Sequence, residues 1–201
     1  MSGAADRPLV TLMKRRRSIR KYQSRRIPKL ALLRVLRAAH YAPSGADRSG
    51  FQFVVVQDTE LKAEIRSSCE AADAEWHRQA APWLKAWLKR KGITPQKPFL
   101  EGAPYLICVF GDNTVPYWLG STWLGVAYLL LAAEREGLAT LTYTPGKSRF
   151  LQKLLNVKPN MIPITILPIG YADEKLPAKT IKRGTKFYFD TVSPRNAVRL
   201  D

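Results

Sequence analysis

Residues 51–57 read FQFVVVQ, a short run in which five of the seven side chains are apolar. A run of this length and composition is typical of a strand that is buried on both faces. We predict three more buried strands along the chain, at Tyr105–Phe110, Ala139–Tyr143 and Ile162–Ile169. These four strands are expected to form the centre of the fold.

Helical patterns separate the predicted strands. The longest apolar stretch, Gly120–Ala133, is expected to lie in a buried helix that ends at Gly137. Because strands alternate with helices, the sequence predicts a layered α/β or α+β fold with helices on both faces of the sheet. The predicted helices span Leu9–Arg17, Pro28–Ala39, Thr59 to about Lys91 with a break at Pro82, Thr122–Glu136, and Lys147–Leu155.

The length of the chain, 201 residues, is enough for one sizeable core and little more. The sequence contains no internal repeat and no low-complexity linker, so we interpret residues 1–201 as a single domain. The two cysteines, Cys69 and Cys108, are too few for a disulfide framework or a metal cluster, and no metal site is expected. They favour a reducing, cytoplasmic setting. Gly120–Ala133 is too short to span a bilayer, so no membrane segment is expected.

The chain carries a formal net charge of +17. Such a charge raises the affinity for nucleic acid, for anionic lipid and for a phosphorylated cofactor, and it does not choose among them. No RNA- or DNA-binding signature accompanies the charge, so a nucleic-acid-binding protein is the less favoured hypothesis. The sequence also lacks a G-x-G-x-x-G motif and a P-loop, so a nucleotide-type cofactor would be held in another way.

Four short segments carry residues that could bind an anion or a cofactor. Arg15–Arg20 (RRRSIR) combines a serine hydroxyl with arginine side chains, which bind phosphate bidentately. Thr142–Gly146 (TYTPG) lies at a strand end, where crevices often hold ligands. The other two are Ala42–Ala46 (APSGA) and Lys182–Gly184 (KRG). Taken singly, each segment is more typical of a surface turn or a basic tail than of a binding site, and both interpretations stay open.

The order and spacing of these segments are more specific than any one of them. An R-R-S-x-R motif, an A-P-S loop, the FQFVVV strand, a G-A-P strand start near residue 104, a long helix ending in E-G-L and a strand ending in L-P-I-G-Y follow one another from about Lys14 to Arg183. Together they resemble the FMN-dependent nitroreductase family. The resemblance implies an α+β nitroreductase-like fold, with a central, mostly antiparallel sheet flanked by helices, in a homodimer.

The resemblance also implies an activity. Enzymes of this family use FMN, with NAD(P)H as reductant, to reduce small aromatic acceptors such as nitroarenes and quinones. The APSGA loop, the TxTP turn and the LPxGY strand end are similar to the branch of the family that contains iodotyrosine deiodinase. Reductive dehalogenation of halophenols or halotyrosines is therefore the alternative activity.

The resemblance assigns roles to individual residues. Arg20 is expected near N1 and the C2 carbonyl of the flavin, and Thr144 is expected near N5 as the catalytic residue, acting through its hydroxyl or through a backbone N–H of this turn. In this family the flavin lies at the dimer interface, so the arginine cluster would come from one subunit and the APS loop from the other. The expected flavin-binding residues are Arg16, Arg17, Ser18, Arg20, Pro43, Ser44, Gly45, Thr142, Thr144, Pro145, Lys182 and Arg183.

A lid between the first two strands, at about residues 65–102, is a further point of resemblance to the deiodinase branch. In that branch a Glu, a Tyr four residues later and a Lys clamp the amino-acid end of the substrate. Asp73, then Trp76 or His77, and Lys97 stand at the matching positions, so these four residues are expected to bind substrate. Asp73 and Lys97 preserve the acidic and the basic residue of the clamp, whereas Trp76 or His77 replaces the tyrosine. The alternative is that Asp73 and Lys97 are solvated surface charges.

Overall fold

The computed structural model describes residues 9–180, 186–188 and 197–199 of the chain. Its centre is a four-stranded sheet in the order β1-β2-β4-β3, in which every pairing is antiparallel. The strands are β1 (Phe51–Val56), β2 (Tyr105–Asp112), β3 (Ala139–Thr140) and β4 (Met161–Gly170). A separate two-stranded sheet pairs β5 (Lys186–Tyr188) with β6 (Ala197–Arg199). The predicted antiparallel sheet is thus confirmed.

Helices cover both faces of the central sheet, as predicted. Helices α2 and α6 pack on one face, and α3, α5 and α7 pack on the other. The helix predicted from Thr59 to Lys91 is broken just before Pro82, as expected for a residue that starts helices more readily than it continues them. The helices are α1 (Leu9–Arg15), α2 (Lys29–Ala39), α3 (Thr59–Gln79), α4 (Pro82–Arg90), α5 (Phe99–Gly102), α6 (Trp118–Arg135) and α7 (Phe150–Leu154).

The side chains of β2 show why both faces need helices. Leu106, Cys108 and Phe110 belong to the core layer shared with α3, α5 and α7, and the alternate residues Ile107 and Val109 pack against α2 and α6. All five side chains are at most 1% exposed. Burying one such aliphatic or aromatic side chain contributes about 1.5–3 kcal/mol relative to exposure. Hydrophobic burial on both faces therefore fixes the three layers.

Helix α6 is apolar on more than the face that it buries. Its inner side buries Val126 and Leu129 against the sheet. Its outer side leaves Trp123, Leu124 and Tyr128 between 40% and 43% exposed. A surface helix ordinarily carries polar residues there, so this α6 outer face is suited to packing against another apolar surface. None of the helices in the described part of the chain combines the length and the apolarity needed to cross a bilayer.

The ladder around β4 is interrupted at two places. The predicted strand Ala139–Tyr143 pairs regularly only at Ala139–Thr140, and it resumes as a single bridge between Tyr143 and Ile166. In this register Pro168 stands opposite Leu141, and proline has no N–H to donate. Further along, Val109 pairs with Thr165 while Phe110 pairs with Pro163, so Ile164 is an extra residue that bulges from the ladder. Both interruptions lie beside the segment 141–144.

Candidate active site

The N-terminal segment and the end of β3 run side by side. Ser18 forms a parallel bridge with Thr140, and the N–H of Ile19 donates to the carbonyl of Thr140 at 3.1 Å. Two residues beyond this bridge, Arg20 and Thr142 line the same cleft. Arg20 and Thr142 are 122 residues apart in the sequence. One edge of the sheet thus brings the arginine motif and the TYTP turn together.

The cleft has a volume of about 1030 Å³. One wall is the sheet edge, with Arg20, Lys21 and the segment 141–144. The other wall is the predicted lid between β1 and β2, which contributes residues of α3, α4 and the following loop. The lid wall carries several aromatic rings, and the lid residues that line the cleft include Asp73, Trp76, His77, Trp87, Lys91, Lys97 and Phe99. The predicted substrate residues Asp73, Trp76, His77 and Lys97 all lie at this cleft.

The bulge in β4 positions a hydroxyl group at the cleft. Ile164 has no partner in β2, and its carbonyl accepts a hydrogen bond from the Thr144 hydroxyl at 3.0 Å. The next residue of the strand, Thr165, donates to the carbonyl of Tyr143 at 3.0 Å. These bonds attach the TYTP turn to the sheet, so the Thr144 side chain lies at the cleft on a rigid support.

Asp73 is the centre of a buried polar cluster. Its Oδ2 atom lies 2.9 Å from Nζ of Lys97 and accepts a hydrogen bond from the Tyr143 hydroxyl at 3.0 Å. Its Oδ1 atom accepts from the backbone N–H of Gly146 at 2.9 Å. Burial, followed by the charges of Cys69 and Asp73, raises the pKa of Tyr143. The phenol therefore stays protonated and donates to the carboxylate.

Lys97 is held as fully as its partner. Besides Asp73, its amino group donates to the carbonyls of Thr94 and Pro95, at 2.6 Å and 2.9 Å. The side chains of Lys97 and Asp73 are 9% and 10% exposed. The predicted acid and base therefore meet each other at the cleft, and the alternative that both are solvated surface charges is wrong.

The glycine of the TYTPG segment allows this cluster to form. A Cβ atom on Gly146 would lie 3.1 Å from Cβ of Trp76 and 3.2 Å from the backbone oxygen of Ala72. Glycine therefore lets helix α3 approach the turn closely enough for the N–H of Gly146 to reach Asp73.

A second group of cations lies beside the C-terminal end of α6. Burial lowers the pKa of the Arg16 guanidinium, against the opposing influence of Glu134. Atom Nη1 of Arg16 is buried and has no hydrogen-bond partner within the described part of the chain. The charge of Arg16, followed by burial and the charge of Arg17, lowers the pKa of Lys179. This crowding of positive charge around an unpartnered donor is suited to binding an anion.

The APS loop lies elsewhere on the same chain. The N–H of Gly45 donates to the Ser121 hydroxyl at 3.0 Å, close to the start of α6, and a Cβ on Gly45 would overlap the ring of Tyr117. Arg16 acts on Glu134, near the end of α6. Ser121 and Glu134 are thirteen residues apart on this helix, so about 20 Å separates them. Pro43, Ser44 and Gly45 are therefore not brought to the arginine cluster within one chain.

The remaining predicted site residues fall into three groups. Ser18 lies on the bridge to Thr140, and Pro145 is buried in the turn between Thr144 and Gly146. Lys182 and Arg183 lie outside the described residues.

The sequence interpretation missed several residues that the fold brings to the two sites. They are Lys21, Trp87, Lys91, Phe99 and Tyr143 at the cleft, and Lys179 beside Arg16.

One signal for the missed residues was present in the sequence. Trp87 and Lys91 are four residues apart, at the end of α4 and just beyond it, a spacing that places two side chains on one helix face, and both line the cleft. Tyr143 carried no such signal, because its role depends on the approach of α3 from 70 residues away.

Comparison with known proteins finds nitroreductase-family relatives along most of the chain. The Nitroreductase family profile matches residues 13–171. The iodotyrosine deiodinase of Thermotoga neapolitana is 39% identical over 169 residues, which are 84% of this chain and 91% of the relative. The iodotyrosine deiodinase of Haliscomenobacter hydrossis is 36% identical over 187 residues, with coverage of 87% and 83%.

Solved structures of proteins from the same family have folds similar to that of this chain. A crystal structure of oxidized iodotyrosine deiodinase bound to FMN and 3-iodo-L-tyrosine matches with a TM-score of 0.81 and 38% identity, covering 90% of this chain and all of that one. A nitroreductase with bound FMN from Desulfitobacterium hafniense matches with a TM-score of 0.74 at 20% identity, covering 94% and 100%, which shows likeness of fold alone. The chain therefore belongs to the Nitroreductase family and is an oxidoreductase enzyme.

Proposed function

We propose that this chain is an FMN-dependent reductive dehalogenase of halogenated phenols. The observation that carries the proposal is the lid-covered aromatic cleft, in a chain 39% identical to a deiodinase over 84% of its length. The sequence alone ranked this activity second, behind reduction of nitroarenes or quinones with NAD(P)H. The deiodinase relatives reverse that order.

The described residues fit FMN at two places. The buried Nη1 of Arg16, beside Arg17 and Lys179, offers an unpartnered charged donor that suits a phosphate dianion. In the cleft, Arg20 supplies a cation that would favour the anionic, reduced form of the flavin. We propose that Ser18, Thr142 and Pro145 complete the binding site on this chain, together with Lys182 and Arg183 from outside the described residues. FMN, when bound and reduced, supplies electrons to the substrate.

We propose that a second copy of the chain completes the site. The APS loop lies about 20 Å along α6 from the arginine cluster, which favours a site in which the two segments reach one flavin from different subunits. The α6 outer face supports this proposal, because it offers an apolar surface on which two copies could pack. Pro43, Ser44 and Gly45 would then reach the flavin of the partner subunit.

The reaction replaces an aryl halogen by hydrogen. One carbon–halogen bond breaks and the halide leaves with its electron pair, while one carbon–hydrogen bond forms, which consumes two electrons and one proton. The rings of Trp76, Trp87 and Phe99 would enclose the phenol and exclude water. The Thr144 hydroxyl, fixed by the Ile164 carbonyl, is the group that we place nearest the reacting atoms. A reduced nicotinamide is the proposed electron source, and the free cysteines support a reducing, cytoplasmic setting.

The test measures halide release by the purified, flavin-loaded protein. We expect iodide and the dehalogenated phenol to appear from 2-iodophenol when dithionite is the reductant, and Thr144→Val to slow this turnover at least tenfold without loss of bound flavin. Thr114→Val is the matched control, because Thr114 lies on an exposed turn away from the cleft. Reduction of a nitroarene without any halide release from halophenols would contradict the proposal.

A further inference from the structure

We infer that the substrate is an aromatic anion without an ammonium group, that is, a halogenated hydroxyaryl carboxylate rather than a halogenated amino acid. The inference rests on the proposed dehalogenase function and concerns the chemistry that the cleft selects. It follows from the way in which the acid and the base of the lid are used, and from the charges that then remain at the cleft.

The amino group of Lys97 has no hydrogen-bond donor left for a substrate. A lysine ammonium carries three N–H donors. Nζ of Lys97 lies 2.9 Å from Asp73 Oδ2, 2.6 Å from the carbonyl of Thr94 and 2.9 Å from the carbonyl of Pro95. These three acceptors match the three donors. A substrate carboxylate would have to displace one of them.

The carboxylate of Asp73 is similarly engaged. Its two oxygens accept from Lys97, from the Tyr143 hydroxyl and from the N–H of Gly146, and its side chain is 10% exposed. Aspartate is also one methylene shorter than glutamate, and Gly146 holds the turn against α3 at the end of that short side chain. An incoming ammonium group would therefore have to compete with a buried lysine for a carboxylate that already accepts three hydrogen bonds.

The pair of Asp73 and Lys97 contributes no net charge to the cleft, and the charges that remain are positive. Besides Arg20, which is proposed to face the flavin, Lys21 and Lys91 line the cleft, and Asp73 is the one carboxylate that does so among the described residues. Glu174 lies nearby, and its carboxylate accepts from the backbone N–H of Lys21 at 3.1 Å rather than facing the cleft. A cleft with this balance attracts an anion and repels an ammonium group.

The aromatic residues of the lid set the other half of the substrate. Trp76 and Trp87 line the same cleft as the cations, and Trp76 stacks edge-on against His77 with ring centroids 5.4 Å apart. Aromatic surfaces of this kind bind a planar ring. An aromatic ring with a carboxylate tail therefore matches both the lid wall and the cations of Lys21 and Lys91.

Four probes that differ only in their charged groups test the inference. The first probe is 3-iodo-L-tyrosine, which carries both charged groups. The second, 3-(4-hydroxy-3-iodophenyl)propanoate, lacks the amino group, and the third, 3-iodotyramine, lacks the carboxylate. The fourth, 4-ethyl-2-iodophenol, lacks both. Binding to the oxidised, flavin-loaded protein is measured by calorimetry, so the readout does not depend on turnover. We expect the propanoate to bind at least about threefold more tightly than iodotyrosine, and iodotyramine to bind most weakly.

A variant of one cleft lysine locates the source of the selectivity. Lys91→Gln should reduce the advantage of the propanoate over 4-ethyl-2-iodophenol, whereas Lys89→Gln should leave it unchanged, because Lys89 is exposed on α4 and does not line the cleft. Iodotyrosine binding as tightly as the propanoate, or more tightly, would overturn the inference alone. If the protein neither binds nor dehalogenates any of the four probes, the proposed function is wrong, and the inference is wrong with it.

Discussion

Oδ2 of Asp73 lies 2.9 Å from Nζ of Lys97, and this buried ion pair joins helix α3 to the loop that leads into α5. The two residues are separated by helix α4, so the pair closes the lid on itself. It acts on the fold as well as on the cleft, because each charge depends on the other for compensation in a buried setting.

Removing one partner of this pair should destabilise the protein strongly. Lys97→Met leaves the Asp73 carboxylate buried without its cation, which typically costs about 3–5 kcal/mol. We expect urea unfolding to show a loss of this size, and expect the double variant Asp73→Asn, Lys97→Met to recover part of it. Lys89→Met, at an exposed position of α4, is the control and should change the free energy of unfolding by less than about 0.5 kcal/mol. Additive effects of the two single substitutions would show that the pair is not coupled.

Substitution of Arg16 should weaken flavin binding. Its buried Nη1 atom has no protein partner among the described residues, so it is available to a phosphate oxygen. Loss of one charge-assisted hydrogen bond is worth about 1.5–3 kcal/mol, or roughly a tenfold to hundredfold weaker affinity. Fluorescence titration of the apoprotein with FMN measures the effect in Arg16→Ala. Arg37→Ala, an exposed arginine on α2, is the control. An unchanged dissociation constant in Arg16→Ala would place the phosphate elsewhere.

A charge on the α6 outer face should separate the proposed dimer. Trp123 is 40% exposed on that face, and Trp123→Arg would bury a guanidinium group in any apolar interface formed there. We expect light scattering to give twice the chain mass of 22.7 kDa for the parent protein and the single-chain mass for the variant. Trp83→Arg, at a tryptophan that is 71% exposed on α4, should leave the mass unchanged. A parent protein with the single-chain mass and flavin bound would refute the dimer.

Alkaline conditions should destabilise the fold through its buried thiols. Burial raises the pKa of Cys108 from 9.0 to about 12. The thiol is therefore protonated in the folded protein and ionises first in the unfolded chain. Its contribution to stability is complete below pH 9 and is lost progressively as the pH rises toward 12. By pH 10.5 the loss should reach roughly 1–2 kcal/mol.

Urea unfolding at pH 7.5 and at pH 10.5, with a reductant present, measures this loss. Cys108→Ala removes the titrating group, so its free energy of unfolding should fall less between the two pH values than that of the parent protein. An equal fall in both proteins would mean that other groups carry the pH dependence.

The sequence was a good guide where structure depends on local patterns. The apolar runs located β1, β2 and β4 closely, and Pro82 correctly marked the end of α3. The predicted third strand was too long, because its continuation depends on whether the opposite strand can donate, and Pro168 cannot. The sequence from Tyr171 to Asp201 has no clear hydrophobic period, yet β5 and β6 pair there, since three-residue strands are too short to leave a periodic signal.

The candidate site was predictable in part. The order of motifs indicated which residues would matter, and Asp73, Trp76, His77 and Lys97 do line one cleft. Their roles as substrate and flavin contacts stay predictions. The bonds within the cluster could not be predicted, because the meeting of Asp73 with Lys97 depends on the close approach that Gly146 permits. The distance between Gly45 and Arg16 likewise depends on the length of α6 between them.

The extra residue in β4 also decides whether the Thr144 hydroxyl can donate or accept a hydrogen bond at the cleft. A carbonyl oxygen can only accept, so the single hydroxyl hydrogen of Thr144 is directed at Ile164. What the threonine presents to the cleft is therefore its lone pairs. It meets a bound molecule as an acceptor, and complements an N–H or O–H rather than a bare nitrogen or oxygen. Because Ile164 bulges from the ladder, its carbonyl is free to impose this choice before any ligand arrives.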